Sequence, residues 1–211
     1  MADLQAIANG VISGKAADVK NLVEAAIKEG VGAGDILKKG LIAGMDVVGV
    51  KFRANEFYVP EVLIAARAMN AGMEVLQPEL VKSGVKAIGK VGVGTVKGDL
   101  HDIGKNLVVM MLKGAGFEVV DLGIDVPEDK FVQAVRDGVQ VLGLSALLTT
   151  TMPAMKSVIE AIKTAGLRDQ VKIMIGGAPV TQAYASEVGA DAYGEDAATA
   201  AIKAKELLGL N

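Results

Sequence analysis

Up to about residue 80, apolar positions recur with the period of an α-helix. One amphipathic helix is predicted to stop at Gly30, and a later one to start at Pro60 and end before Pro78, because proline suits a helix start better than its interior. The apolar faces of three predicted helices are Val19, Leu22, Val23, Ala26 and Ile27; Ile36, Leu37, Leu41, Met45 and Val48; and Val62, Ala66, Met69, Met73 and Leu76. This pattern predicts a small helical bundle.

The segment Val81–Lys90 contains lysine, glycine and serine with little periodicity, which predicts a linker. The chain is accordingly predicted to form a helical bundle cap domain at residues 1–85 and a second domain at residues 90–211.

In the second part, short β-branched runs alternate with helical patterns, which predicts an α/β fold with a parallel sheet and helices on both faces. The predicted strands are Val91–Val96, Phe117–Asp121, Val139–Leu144, Val171–Ile175 and a weak one near Ala190–Tyr193. The predicted helices are Gly104–Gly114, Pro127–Gly138, Met152–Thr164, Val180–Val188 and Asp196–Leu208. The expected architecture is a flavodoxin-like (Rossmann-like) five-stranded sheet, in which ligands bind at the loops that follow the strands.

The amino-acid composition excludes several kinds of functional site and partner. The 211 residues are 51% hydrophobic and carry a net charge of −3, so a core is expected and a basic surface for nucleic acid or anionic lipid is not. There is no cysteine, which excludes disulfides, thiolate nucleophiles, iron–sulfur clusters and cysteine zinc sites. The sequence shows no secretory leader pattern and no apolar run of membrane-spanning length, and we expect a cytoplasmic protein without a membrane partner.

The one histidine of the chain, His101, lies in the first of the loops that follow the strands, two residues after Asp99. It is interpreted either as a metal ligand oriented by a carboxylate or as a loop histidine satisfied by hydrogen bonds. By themselves, the hydroxyls of Thr149–Thr151 are typical helix caps, and Gly176 and Gly177 are typical of a turn. The glycine patterns of dinucleotide-binding loops and P-loops are absent.

Together, these loops carry three short motifs in order. Asp99-x-His101-x-x-Gly104 is followed after 40 residues by Ser145-x-Leu147 and after a further 28 residues by Gly176-Gly177. The series resembles the B12-binding signature of cobalamin-dependent methyltransferases and mutases. Over nearly its whole length the chain is most similar to the stand-alone corrinoid proteins of anaerobic methyltransferase systems, and it is also similar to the cobalamin-binding module of methionine synthase.

The resemblance implies that His101 displaces the nucleotide base of the corrinoid and becomes the lower ligand of cobalt, a state called base-off/His-on. Asp99 is expected to accept a hydrogen bond from the other ring nitrogen. The family's hydroxyl falls on Thr151, where methionine synthase has serine, and completes a relay of three residues.

The resemblance also assigns contacts to the cofactor. Gly104 is expected beside the corrin edge, and helical-domain residues on its methyl-bearing face. Asp102 and Lys105 are expected to be solvated charges or contacts of the corrin side chains. Asp196 is expected either to cap the last helix or to help bind the cofactor. The residues expected to contact the nucleotide tail are Ser145, Leu147, Thr149, Gly176, Gly177 and Gly194; those expected above the corrin are Phe52, Val59 and Val62.

The implied function is that of a non-catalytic methyl carrier. Its cobalt receives a methyl group from a substrate-specific methyltransferase, acting on methanol, a methylamine or an aryl methyl ether. A second methyltransferase transfers the methyl group to tetrahydrofolate or coenzyme M, and a reductive activator restores oxidised cobalt. The alternatives are the B12 module of a mutase, a B12 sensor and a plain nucleotide-binding α/β protein.

Overall fold

The computed structural model describes residues 3–210, and its internal contacts divide the chain into two compact units. The helical unit comprises residues 3–87 together with Gly114–Gly116. The sheet unit comprises Ile88–Lys113 and residues 117–210.

In the helical unit, the predicted apolar faces pack against one another. Val19, Leu41 and Leu76 are fully buried, so the 3.6-residue period does mark the core of this unit. The helices are α1 (Leu4–Ile12), α2 (Ala16–Lys28), α3 (Ala33–Asp35), a π-helical stretch (Ile36–Ile42), α4 (Ala43–Arg53) and α5 (Val59–Lys82).

The last helix of this unit is longer than the sequence predicts. α5 continues through Pro78 to Lys82, so the prediction that Pro78 lies beyond the helix is wrong. Leu76 and Leu80 are both buried one turn apart, and their packing continues the helix across a proline that lacks one backbone donor. The segment between the two regular elements is accordingly shorter than predicted, from residue 83 to residue 89.

The sheet unit contains the predicted five-stranded parallel sheet, in the order β2-β1-β3-β4-β5. The strands are β1 (Lys90–Val96), β2 (Glu118–Val126), β3 (Val141–Ser145), β4 (Lys172–Gly176) and β5 (Ala192–Gly194). The intervening helices are α6 (Ile103–Gly114), α7 (Glu128–Arg136), α8 (Pro153–Thr164), α9 (Gln182–Val188) and α10 (Ala197–Leu207).

Alternating side chains of the strands pack on opposite faces. Leu142 and Ile173 belong to a core with α7, α8 and α9, whereas Met174 packs with Ala200 of α10 and Val108 of α6. Both faces are therefore covered, as parallel sheets require. Strand order reverses direction between β1 and β3, and ligands of such folds bind at the carboxyl ends of the strands there. Within residues 3–210, no helix combines the length and hydrophobicity needed to span a bilayer.

Candidate functional site

The carboxyl ends of four strands form one row of small residues. The parallel registers pair Thr95 with Ser145, Ser145 with Gly176, and Gly176 with Gly194. Residues that are 18 to 50 positions apart in the chain are thereby adjacent, and the loop with His101 begins beside them. The three sequence motifs meet at this row.

The imidazole of His101 is oriented by Asp99. Its Nδ1 lies 2.6 Å from Asp99 Oδ1, and the side chain of Asp99 is almost completely buried. An ionised carboxylate only accepts hydrogen bonds, so Nδ1 carries the ring proton and Nε2 of the neutral ring keeps its lone pair. The predicted hydrogen bond is present, and it leaves Nε2 as the nitrogen able to bind a metal.

Asp99 is held by more than His101. Its Oδ2 accepts a hydrogen bond of 2.6 Å from the Thr151 hydroxyl and one of 2.8 Å from the backbone N–H of Leu147. Burial alone raises the pKa of Asp99, but the hydrogen bonds from Thr151, His101 and Leu147 outweigh it and hold that pKa well below its usual range. Asp99 is therefore a carboxylate at neutral pH, and the predicted relay from Thr151 through Asp99 to His101 is geometrically complete.

Nε2 of His101 faces Ser145. The Ser145 hydroxyl lies 3.0 Å from it and donates to its lone pair. Only 13% of the His101 side chain is exposed. A metal bound at Nε2 would need the same lone pair, so it would replace this hydrogen bond.

Several residues in or beside the His101 loop are not identified as site residues by the sequence analysis. The buried Thr95 donates a 2.9 Å hydrogen bond to the backbone carbonyl of His101. Leu100 and Ile103, on either side of His101, are 70% and 77% exposed, and Leu148 is 51% exposed beside the predicted Leu147. Apolar residues inside the polar run Gly98–Gly104 are the signal that could have revealed this surface.

The motif positions are glycine for two different structural reasons. A Cβ on Gly104 would meet no atom within 4 Å, so this position borders open space that a ligand can fill. By contrast, a Cβ on Gly177 would lie 1.9 Å from the carbonyl oxygen of Ala146, and one on Gly176 would lie 2.8 Å from the carbonyl oxygen of Gly194. The latter pair is required by close backbone packing within the sheet unit itself.

Lys105 is not a solvated charge, contrary to the prediction. It is 2% exposed, and its Nζ lies 2.6 and 2.7 Å from the two carboxylate oxygens of Asp121 on β2. Burial opposes the charge of Asp121, but the bonds from Lys105 prevail and lower the pKa of Asp121. The prediction fails because the partner of Lys105 lies 16 residues away on another element. Asp102 is exposed, as predicted.

The remaining predicted contacts fall on different surfaces. Phe52 is half-buried and Val59 is 37% exposed, but Val62 is fully buried in the helical unit, so the prediction that it covers a cofactor is wrong. Thr149 is exposed near the end of β3. Asp196 caps α10 through a 2.7 Å bond from Thr199 N–H, which is the structural alternative of the two predicted roles.

The donor set suits a corrinoid better than a metal ion held by protein alone. Residues 3–210 contain no group of three histidine, cysteine or acidic side chains that could hold a metal. A corrin ring supplies four nitrogens to its cobalt, so the single nitrogen of His101 is sufficient, and imidazole suits such a metal. The exposed Leu100, Ile103, Leu147 and Leu148 provide the apolar surface that a macrocycle can cover. The residues fit the cofactor that the sequence motifs imply.

Comparison with known proteins agrees with this geometry. Residues 89–202 and residues 3–77 each match a family described as B12 binding domain. The chain is 50% identical to dimethylamine corrinoid protein 1 of Methanosarcina acetivorans, over 97% of each sequence. It is also 50% identical to the trimethylamine corrinoid protein of Methanosarcina barkeri, over 87% of this chain and 86% of that protein.

Solved structures show the same architecture. A cobalamin-binding protein from Desulfitobacterium hafniense superposes with a TM-score of 0.82 at 32% identity, covering 98% of this chain and 99% of that one. The methanol:cobalamin methyltransferase complex MtaBC of Methanosarcina barkeri matches with a TM-score of 0.86 at 34% identity, covering 99% of this chain and 80% of that one.

Proposed function

Because the chain belongs to the B12-binding corrinoid proteins, we propose that it binds cobalamin and carries a methyl group on its cobalt within a methyltransferase system. One observation carries the proposal. Nε2 of His101 lies at the sheet edge, where its only described partner is the exchangeable hydroxyl of Ser145, while Asp99 and Thr151 hold the opposite side of the ring. The bound cofactor supplies a cobalt that accepts and releases a methyl group.

The residues of this chain then have separate tasks. His101 would provide the protein nitrogen that binds the cobalt. Asp99 keeps the ring proton on Nδ1 and fixes the orientation of the ring, and Thr151 keeps the carboxylate in place. Phe52 and Val59 stay predicted contacts for the methyl-bearing face, where apolar side chains would exclude water.

Ser145 exchanges partners in this proposal. In the structure its hydroxyl donates to Nε2, and the same lone pair cannot also bind cobalt. The Ser145 hydroxyl would then be free to bond the nucleotide tail, as the motif implies. Gly176 pairs with Ser145 and with Gly194 at the same strand ends, and contacts of Gly176, Gly177 and Gly194 with the nucleotide tail stay predictions.

The partner proposed for methyl entry is a methylamine methyltransferase. Relatives named for dimethylamine and trimethylamine are 50% identical to this chain, whereas the methanol complex is 34% identical. The further partners, a methyltransferase acting on tetrahydrofolate or coenzyme M and a reductive activator, follow from the same carrier role. The mutase module, the B12 sensor and the plain nucleotide-binding protein have no comparable support.

The test begins with cofactor-free protein and hydroxocobalamin. After gel filtration, the wild-type chain should retain the corrinoid with a base-off/His-on visible spectrum, and His101→Ala should lose that spectrum while keeping part of the affinity. An unchanged spectrum in His101→Ala would refute the ligand assignment.

The carrier role is tested by adding methylamine methyltransferases to the loaded protein. Methyl transfer from dimethylamine or trimethylamine should require the added enzyme, and a methanol-specific enzyme serves as the control. Demethylation by the purified chain alone would show an autonomous enzyme instead.

A further inference from the structure

Asp125, at the end of β2, has an unusual backbone. Its φ is +49°, in the left-handed region that side-chain-bearing residues rarely adopt. Among residues 3–210, the one other non-glycine residue with positive φ is Asn55, just after α4, where a left-handed residue commonly ends a helix. Asp125 has no such explanation, because it lies inside a strand.

The pairing of β2 with β1 is irregular at this point. The six residues Asp121–Val126 of β2 span the four residues Val93–Val96 of β1, with two shifts of register. Such bulges redirect a strand, and they occur often beside functional sites. Here they bring Asp125 to the loop that carries His101.

Asp125 makes two hydrogen bonds to that loop. Its carboxylate Oδ1 accepts a 2.7 Å bond from the backbone N–H of Gly98, and its own N–H donates a 3.0 Å bond to the backbone carbonyl of Asp99. Gly98 itself has a φ of +82°. Two consecutive loop residues are thus held by one residue of the neighbouring strand.

The carboxylate explains why the position is not glycine. Glycine would adopt this φ without strain, as Gly123 does two residues earlier. An aspartate at φ +49° retains strain, and strain at a defined position points to a function for the side chain. The bond to Gly98 is that function.

We propose that Asp125 is a positioning residue for the cobalt ligand: it fixes the Gly98–Asp99 backbone from the β2 side and so fixes the direction of the His101 ring. Thr95 holds the His101 carbonyl from β1, and Thr151 holds the Asp99 carboxylate from the loop after β3. The loop that carries His101 is therefore held by hydrogen bonds from β1, from β2 and from the loop after β3. This inference rests on the proposed role of His101.

Three variants separate the contributions. Asp125→Gly removes the carboxylate and relieves the strain, so it should fold, while Asp125→Asn retains an acceptor oxygen and tolerates the left-handed region. Asn55→Gly is the matched control, because it makes the same relief of positive φ in the helical unit. Thermal unfolding of all three establishes that they are folded.

The first measurement uses the cofactor-free protein. Amide hydrogen exchange of His101, followed by NMR, should be about fivefold faster in Asp125→Gly, within about twofold of wild type in Asp125→Asn, and unchanged in Asn55→Gly. If the His101 amide of Asp125→Gly exchanges at the wild-type rate, the proposal is overturned. It is also overturned if exchange is as fast in Asp125→Asn as in Asp125→Gly, because the acceptor oxygen would then have no effect.

The second measurement uses protein loaded with hydroxocobalamin. The ratio of His-on to His-off cofactor, measured by visible spectroscopy as the pH is lowered, should fall about fivefold in Asp125→Gly and recover in Asp125→Asn. An unchanged ratio in folded Asp125→Gly contradicts the positioning role. If the wild-type spectrum does not depend on His101, the proposed ligand is wrong, and the exchange measurement still decides whether Asp125 fixes the loop.

Discussion

The Thr151 hydroxyl donates a 2.6 Å hydrogen bond to the Asp99 carboxylate across 52 positions of the chain. The bond is buried and joins the loop after β3 to the loop after β1. The orientation of His101 therefore depends on two neighbouring strands as well as on its own loop.

Removing the Thr151 hydroxyl should weaken cobalamin binding without abolishing it. Thr151→Val keeps the shape but removes the donor to Asp99, and Asp99→Asn removes the charge that supports the imidazole. Such supporting groups change metal affinity by roughly 10–100-fold, and we expect the larger loss in Asp99→Asn. Cobalamin affinity, measured by titration of the cofactor-free protein, checks the order. Equal or greater damage in Thr151→Val would show that Thr151 mainly contacts the nucleotide tail.

The lowered pKa of Asp99 predicts a pH dependence of stability in the cofactor-free protein. A carboxyl group whose pKa is lower when folded contributes stability above its unfolded pKa of about 3.9, and that contribution is lost as the pH falls through the folded value. Wild type should therefore exceed Asp99→Asn by about 2–3 kcal/mol in free energy of unfolding at pH 7, and the gap should narrow below about pH 4. Urea denaturation at several pH values measures it. A gap independent of pH would show that ionisation of Asp99 is not the source.

Ser145 should affect two corrinoids in opposite directions. Ser145→Ala leaves the His101 Nε2 lone pair without its donor. Cobinamide, which has no nucleotide tail, should therefore bind to this variant as tightly as to wild type or up to about fivefold more tightly. Cobalamin should bind more weakly, because its tail loses a hydroxyl partner. Parallel titrations with the two corrinoids test the exchange of partners, and equal losses for both would contradict it.

The two kinds of motif glycine should respond differently to alanine. Gly177→Ala places a Cβ 1.9 Å from the Ala146 oxygen at a φ of +130°, and should cost about 2–4 kcal/mol of folding free energy. Gly104→Ala meets no protein atom and should change the stability of the cofactor-free protein by at most about 1 kcal/mol. Its cobalamin affinity should nevertheless fall about tenfold, because the added methyl group occupies cofactor space. Unfolding curves and cofactor titrations together distinguish the two.

Much of the sheet unit was predictable from local pattern. Each apolar strand is followed by an amphipathic helix, and this alternation favours one parallel architecture. The end of β2 was not predictable: the strand extends to Val126, beyond the predicted Asp121, because the chain stays paired with β1 at Gly123 and Val126 across two shifts of register. No alternation of apolar and polar positions marks such a strand.

The candidate site was predictable where the three motifs mark it. The resemblance that these motifs carry implied the bond between Asp99 and His101, and also the contact of Asp99 with Thr151, 52 positions away. The ion pair of the buried Lys105 with Asp121 depends on packing between elements, which one sequence does not display. For Val62 the two lines of reasoning differ: the helical period places it on an apolar face of the bundle, and the resemblance places it above the corrin. Its full burial agrees with the helical period.

The row of strand ends limits how this protein can diverge. Thr95 and Ser145 contribute hydroxyls to the His101 loop, so any smaller residue there loses a bond. At Gly176 and Gly194, a Cβ would lie 2.8 Å from the Gly194 carbonyl oxygen and 3.1 Å from Ala200 Cβ, respectively, so any larger residue displaces its neighbours. Substitutions at Thr95 and Ser145 therefore change the hydrogen bonds of the His101 loop, whereas substitutions at Gly176 and Gly194 change the packing of the sheet unit. One row of strand ends thus separates the positions that can adjust cofactor contacts from the positions that the fold keeps small.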